Sequence, residues 1–198
     1  MQRRPTAGGR RAAERPNPMP GDPIDELQSA PLIRYARMAD AEPVNAALLT
    51  AYRRMAGHPA VRHTHHFHGR FENTYIDRSD LPEVTPIIEF ALQAARHCSG
   101  MAGLRYGFWF NEMQPGQRTS RHSHEELDEL LSAVYYVTAP VTSGSLILHQ
   151  PPVEIRITPS PGLLVLFPPE IEHEVEPNAS GEARLSVAFN FGPLDESH

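Results

Sequence analysis

The chain contains no lysine; all 18 of its basic residues are arginine. It has one cysteine, Cys98, and one tryptophan, Trp109. A single thiol excludes an internal disulfide framework and fits a reducing compartment, so a cytoplasmic protein is expected. No apolar run reaches the ~18 residues of a membrane-spanning helix, so no membrane partner is expected. The pairs Arg3-Arg4 and Arg10-Arg11 lead into no apolar core, and no export signal is read there. The missing lysine reads as genome composition, not as a functional signal.

Charge is unevenly spread. The formal net charge is −6, yet residues 1–15 carry five arginines and one glutamate, which leaves −10 on the remainder. The acidic body argues against a nucleic-acid-binding surface on the domain. Residues 1–30 are rich in Pro, Gly, Arg and Ala without periodicity, and are expected to be a disordered basic tail. The rest, 31–198, is long enough for one domain with a substantial core. Its oligomeric state is not legible in the sequence.

Within that domain the periodicity changes once. Residues 41–56 carry Val44, Leu48, Leu49 and Tyr52 at helical spacing, with Pro43 suited to a first turn and Gly57 to an end. A second helix is expected from Val84 to Cys98. Between them VRHTHHFHGRFENTYIDRSDLPE reads as a loop. From Leu104 the pattern turns to period two. Strands are expected at 105–111, 117–124, 132–138, 144–149, 153–158, 162–167, 171–176 and 183–191, separated by Pro- and Gly-bearing breaks. The expected architecture is mainly β, a double-stranded β-helix or jelly roll. Its β-barrel covers about 104–192, and helices from about 41–103 pack outside one sheet.

Strand alternation sorts the polar residues inside this region, because residues two apart share a face. His122 and His124 point together. In EIEHEVEP, His173 shares the apolar face with Ile171 and Val175, while Glu170, Glu172 and Glu174 take the other. In ARLSVAFNF, Arg184, Ser186, Ala188 and Asn190 share a small, polar face opposite Leu185, Val187, Phe189 and Phe191. Imidazoles suit iron, zinc, copper or nickel, and two histidines with a carboxylate and open positions suit non-haem Fe(II). Glu126, on the same side of an extended chain as His124, and Asp128 are alternative carboxylate ligands. An arginine and a serine in register can grip a carboxylate. The order His122, His124, His173, Arg184 therefore points to a metal site beside an anionic cosubstrate.

These segments carry a resemblance. Trp109-Phe-Asn111, Pro115-Gly116, His122-Ser-His124, Ser132-Ala-Val-Tyr135-Tyr136-Val, Ser143-Gly144-Ser-Leu, the run Pro161-Gly162 to Phe167-Pro168, His173 and Arg184-Leu-Ser186 resemble the 2-oxoglutarate/Fe(II)-dependent dioxygenases, close to the prolyl-4-hydroxylase-like branch. The resemblance covers about residues 105–192. It implies an oxidoreductase that hydroxylates or demethylates a small molecule or a protein side chain. It also implies Fe(II) on His122, His124 and His173, and 2-oxoglutarate on Arg184, Ser186 and the Tyr136 hydroxyl. The chain departs from the family at His124, where an aspartate is usual.

Two other readings compete. Gly116, His122-x-His124 and then Asp128 or Glu129, with His173 as the last ligand, also approximate a cupin, either a metal-binding protein or a metal dioxygenase without 2-oxoglutarate. A non-enzymatic β-sandwich binding protein would use the same histidines structurally. Arg184 separates the cupin from the 2-oxoglutarate enzyme, since only the latter needs that cation. The histidines at 63, 65, 66 and 68 read first as loop residues that bond locally or face solvent. They can also form a separate metal site, or bring Arg70, Glu72, Asn73 and Tyr75 to a substrate cleft. Trp109 reads as a core residue.

Overall fold

The computed structural model describes residues 29–30, 32–67, 70–124 and 128–194. The tail expected over residues 1–30 falls outside them except for Ser29 and Ala30, and so do His68 and Glu126.

Every strand expected beyond Leu104 forms, its ends moved by at most two residues. They are β5 (Leu104–Met113), β6 (Thr119–His122), β7 (Leu131–Thr138), β8 (Leu146–Gln150), β9 (Val153–Ile157), β10 (Leu163–Phe167), β11 (Glu172–Val175) and β12 (Arg184–Pro193). Four more precede them: β1 (Ser29–Ala30), β2 (Ile33–Arg37), β3 (Arg62–Phe67) and β4 (Arg70–Tyr75). They build a large sheet in the order β1-β2-β10-β7-β12-β5-β4-β3 and a small one in the order β6-β11-β8-β9. All pairings are antiparallel. Two facing sheets with this pairing are the double-stranded β-helix.

The stretch read as a loop after the first helix is instead the hairpin β3–β4 at one edge of the large sheet. Its residues alternate among His, Thr, Arg, Phe and Asn, so the usual apolar period-two signal is missing. The hairpin joins the sheet at β5, with Thr74 opposite Phe110. Strand β2, also unforeseen, extends the sheet beyond β10.

Two cores follow from two burial faces. Helices α1 (Ala41–Arg54) and α2 (Thr85–Ser99) cover the outer face of the large sheet, as expected. Leu48, Ile87, Ile88 and Ala91 pack there with Phe110, Tyr135, Leu166, Val187 and Phe191. Truncating the fully buried Phe110 to alanine is expected to cost about 3–5 kcal/mol. Tyr135 crosses this layer, its hydroxyl donating to Asn45 Oδ1 on α1 at 2.9 Å. α2 stops at Gly100, left-handed at φ 71°, whose N–H bonds Arg96 O at 2.9 Å. The second core lies between the sheets and contains Ile33, Leu148, Val165, Phe167 and Ile171. It fills one end of the sandwich and leaves a cavity at the other.

Candidate active site

The cavity is about 640 Å³ and opens between β6, β11 and the inward face of the large sheet. Its walls follow from register, because residues paired directly across antiparallel strands project to one face. On the large sheet, Arg184 pairs with Met113, Ser186 with both Asn111 and Tyr136, and Ala188 with both Trp109 and Val134. Asn190 pairs with Ser132 in the same way. Arg184, Ser186, Ala188 and Asn190 all line the cavity, the face expected of them.

On the small sheet His173 sits directly opposite His122. Their rings are 4.3 Å apart, and the ring of His124 lies 4.9 Å from His122 and 5.1 Å from His173. One ring nitrogen from each comes within 4.8 Å of the other two, the only such cluster of metal-ligating groups among the described residues. His124 stands just past the end of β6 and not within it. Its backbone N–H bonds Pro169 O at 2.9 Å and holds it beside the others.

Second contacts fix the tautomers. His122 Nδ1 lies 2.7 Å from Ser120 O, and His173 Nδ1 lies 2.9 Å from Ile171 O. A carbonyl only accepts, so each Nδ1 carries the hydrogen and each Nε2 keeps its lone pair. Burial, with the neighbouring imidazoles adding to it, lowers the pKa of His173 to about 3 and that of His124 to about 4. Both are neutral at pH 7, the form that binds metal. The chemistry of this donor set, three convergent imidazoles lining a cavity, fits a divalent transition metal. Asp128 is exposed and ion-paired with Arg105, apart from the cluster of three imidazoles.

Arg184 is 2% exposed. Its Nη1 donates to Gly144 O at 2.8 Å and Ser143 O at 3.2 Å, and its Nη2 lies 2.8 Å from Met113 Sδ. Nε has no partner, and no carboxylate among the described residues reaches the guanidinium. Burial pulls its pKa down. A buried cation without a counter-charge costs several kcal/mol, so this one calls for an anion. Beside it the guanidinium carbon stands 5.7 Å from the Tyr136 ring centre. The Tyr136 hydroxyl, whose pKa burial pushes up to about 12, stays protonated and able to donate.

Other expectations change. Trp109, expected in the core, is half-buried in the cavity wall, 5.6 Å from the His124 ring and 6.3 Å from that of Tyr75. Glu72, Asn73 and Tyr75 of the hairpin line the mouth with His65 and His66, whereas Arg70 turns away. Arg70 is buried and bonds Glu112 O, Arg118 O and Thr119 Oγ1, tying the hairpin to the barrel. His63 bonds Thr74, and His65 bonds Thr64 and Asn73. His63 and His65 thus bond locally, and the cavity takes His65 and His66. Glu129, a carboxylate option of the cupin motif, also lines it, as do Asn111 and Phe167, which the sequence did not single out for the site.

No helix among the described residues is long and apolar enough to cross a membrane. No curated protein matches the sequence. Residues 149–190 match the family model described as "Putative 2OG-Fe(II) oxygenase". Among solved structures, a prolyl-4-hydroxylase from Pseudomonas putida is similar at 23% identity, TM-score 0.62, over 82% of this chain and 93% of that one. A Trichoplax adhaerens prolyl hydroxylase, solved with a hypoxia-inducible-factor degradation-domain peptide, gives 13%, TM-score 0.61, 80% and 83%. The α-ketoglutarate-dependent carbocyclase SnoK of nogalamycin biosynthesis gives 14%, TM-score 0.65, 80% and 78%. The chain therefore has the fold of the prolyl-4-hydroxylase-like 2OG-Fe(II) oxygenases and, from His149 to Asn190, the sequence pattern of a 2OG-Fe(II) oxygenase family.

Proposed function

We propose that this protein is an oxygenase in which His122, His124 and His173 hold one Fe(II), and Arg184, Ser186 and Tyr136 seat 2-oxoglutarate. The observation that carries the reading is the buried guanidinium of Arg184, unpaired by any described carboxylate, in the same cavity as three convergent imidazoles. When bound, iron and 2-oxoglutarate supply the oxidising chemistry: 2-oxoglutarate and O₂ give succinate and CO₂, and one oxygen atom goes to a substrate C–H bond.

The chain's own residues bind and orient. Ser120 O and Ile171 O fix the two imidazoles so that Nε2 faces the metal. Arg184, braced by Ser143 O and Gly144 O, offers Nε to the distal carboxylate. Phe167, edge-on to His173 at 4.9 Å, and Val134 keep that end of the cavity dry. Room supports the reading too. The ten heavy atoms of 2-oxoglutarate need at most about 300 Å³, taking water's ~30 Å³ as the share of each. About half of the cavity is left for a group of the substrate, a small molecule or a protein side chain. The cupin reading leaves Arg184 without an anion, and the scaffold reading leaves three convergent imidazoles gathered for nothing. A reducing, cytoplasmic setting suits the lone thiol and ferrous iron.

Anaerobic reconstitution with Fe(II), with and without 2-oxoglutarate, tests the proposal. A visible charge-transfer band that needs both additions, and succinate release once O₂ is admitted, are expected. Iron binding with no response to 2-oxoglutarate would leave the cupin reading standing.

A further inference from the structure

We propose that Asn190 holds the primary substrate, its carboxamide donating through Nδ2 to a neutral carbonyl oxygen on the side of the histidines away from Arg184; the inference rests on the function proposed above. Ser132 is the positioning residue. Its Oγ donates to Asn190 Oδ1 at 2.9 Å, and Ser132 itself is buried. That bond ties the oxygen end of the carboxamide to the wall. The NH₂ end then faces the cavity that Asn190 lines, and no acceptor among the described residues takes either of its hydrogens.

Register says what passes there. Four rungs cross the inward face of the large sheet: Met113–Arg184, then Asn111–Ser186–Tyr136, then Trp109–Ala188–Val134, then Gly107–Asn190–Ser132. The Trp109 ring stands 5.6 Å from that of His124, so the third rung is level with the histidines. Arg184 therefore lies on one side of them and Asn190 on the other. Successive rungs on one face are about 7 Å apart, two residues at about 3.4 Å each, so Asn190 stands about one such step from the C–H bond to be oxidised. Space is left beside it. Gly107 is exposed, and a Cβ added to it would meet nothing within 4 Å. Glu129 brings a negative charge to the same cavity, and the chain beyond residue 15 carries −10. Both disfavour an anionic group of the substrate. A carbonyl is neutral and only accepts, so an amide, ester or ketone fits the donor.

The experiment uses the full chain loaded with Fe(II) and 2-oxoglutarate. The probes are a series of Nα-acetyl amino-acid N-methylamides, one for each side chain. Succinate release under O₂ identifies the probe that raises turnover most. Its binding is then titrated anaerobically through the fluorescence of Trp109, the chain's only tryptophan and a wall residue of the same cavity. Asn190→Asp keeps an oxygen for Ser132 and turns the other end from donor to anionic acceptor. It should weaken the probe at least about tenfold, roughly 1.4 kcal/mol, with 2-oxoglutarate affinity within about twofold of native and iron still bound. Asn190→Ala loses one neutral hydrogen bond and should weaken the probe about threefold, as should Ser132→Ala, which frees the carboxamide to turn. A purely structural role gives the opposite order, with the isosteric aspartate nearest the native protein and alanine worst. That order, or a native probe affinity in Asn190→Asp, overturns the inference and would instead make Asn190 an acceptor for an N–H of the substrate. If the aspartate variant does not fold, a native affinity in Asn190→Ala overturns the inference by itself. If the native chain binds 2-oxoglutarate but no probe raises succinate release above the rate without one, the inference falls and the proposed function stands. Failure of the native chain to bind 2-oxoglutarate overturns both.

Discussion

His122 and His173 face each other across one rung of the small sheet, each with its Nδ1 bonded to the carbonyl two residues before it. The same local arrangement on two paired strands aims both Nε2 atoms at one point, with His124 closing the third side. His173→Ala should abolish iron binding, because this residue is buried and anchors the pair. His122→Ala and His124→Ala should each weaken it. Metal content after anaerobic dialysis checks the order.

Glu126 gives the contrasting outcome. If the ligands are three histidines, Glu126→Ala keeps its iron and its turnover, while His122→Ala loses turnover. If Glu126 is a ligand, the ranking is reversed. Succinate release by the two variants decides between them.

Arg184→Lys keeps the charge and loses the planar fork, so 2-oxoglutarate binding should weaken even though a cation remains. Arg184→Ala should raise the 2-oxoglutarate requirement at least about tenfold, roughly 1.4 kcal/mol. Iron binding should survive both changes. Succinate production in the absence of primary substrate, unchanged in Arg184→Ala, would remove the arginine from the site.

The buried imidazoles also set a pH dependence for the metal-free protein. His124 and His173 have folded-state pKa values of about 4 and about 3, below their ordinary 6.5. The unfolded chain therefore binds more protons between these values, and stability rises with pH across that window. Their contribution is fully present above about pH 6.5 and is lost progressively as pH falls through 4 towards 3. Chemical denaturation between pH 7 and pH 4 should show a falling midpoint, with a smaller fall in His173→Leu.

Gly144 supplies the carbonyl that braces Arg184 and adopts φ 89°, where a side chain would also run into the backbone of Glu176. Gly144→Ala should destabilise the fold by about 1–3 kcal/mol and weaken 2-oxoglutarate binding without touching the histidines. Thermal melting and the charge-transfer titration read the two effects separately.

Much of this site could be read from short-range pattern. Alternation in EIEHEVEP and ARLSVAFNF assigned His173 and Arg184 to inward faces, and pairing of the strands then brought them to one cavity. Trp109 carried the same signal in FWFNEM, since parity sets Trp109 with Asn111 and Met113 against Phe108 and Phe110. Size and apolarity outweighed parity there. The β3–β4 hairpin was hidden because its strands are built from polar residues and bury little. Its order comes from Arg70 reaching three acceptors far along the chain. The contact of Arg184 with Met113, 71 positions apart, depends on register between distant strands, which local pattern does not encode.

The same hairpin divides the molecule's labour along its length. The three histidines, Arg184, Ser186 and Tyr136 all come from the barrel segment, and none comes from residues 62–75. The hairpin instead supplies Glu72, Asn73 and Tyr75 to the rim of the opening. Exchanging that one peptide for another sequence with the Arg70 tether kept would redraw the entrance while leaving the oxidising machinery alone, so selectivity here is transplantable.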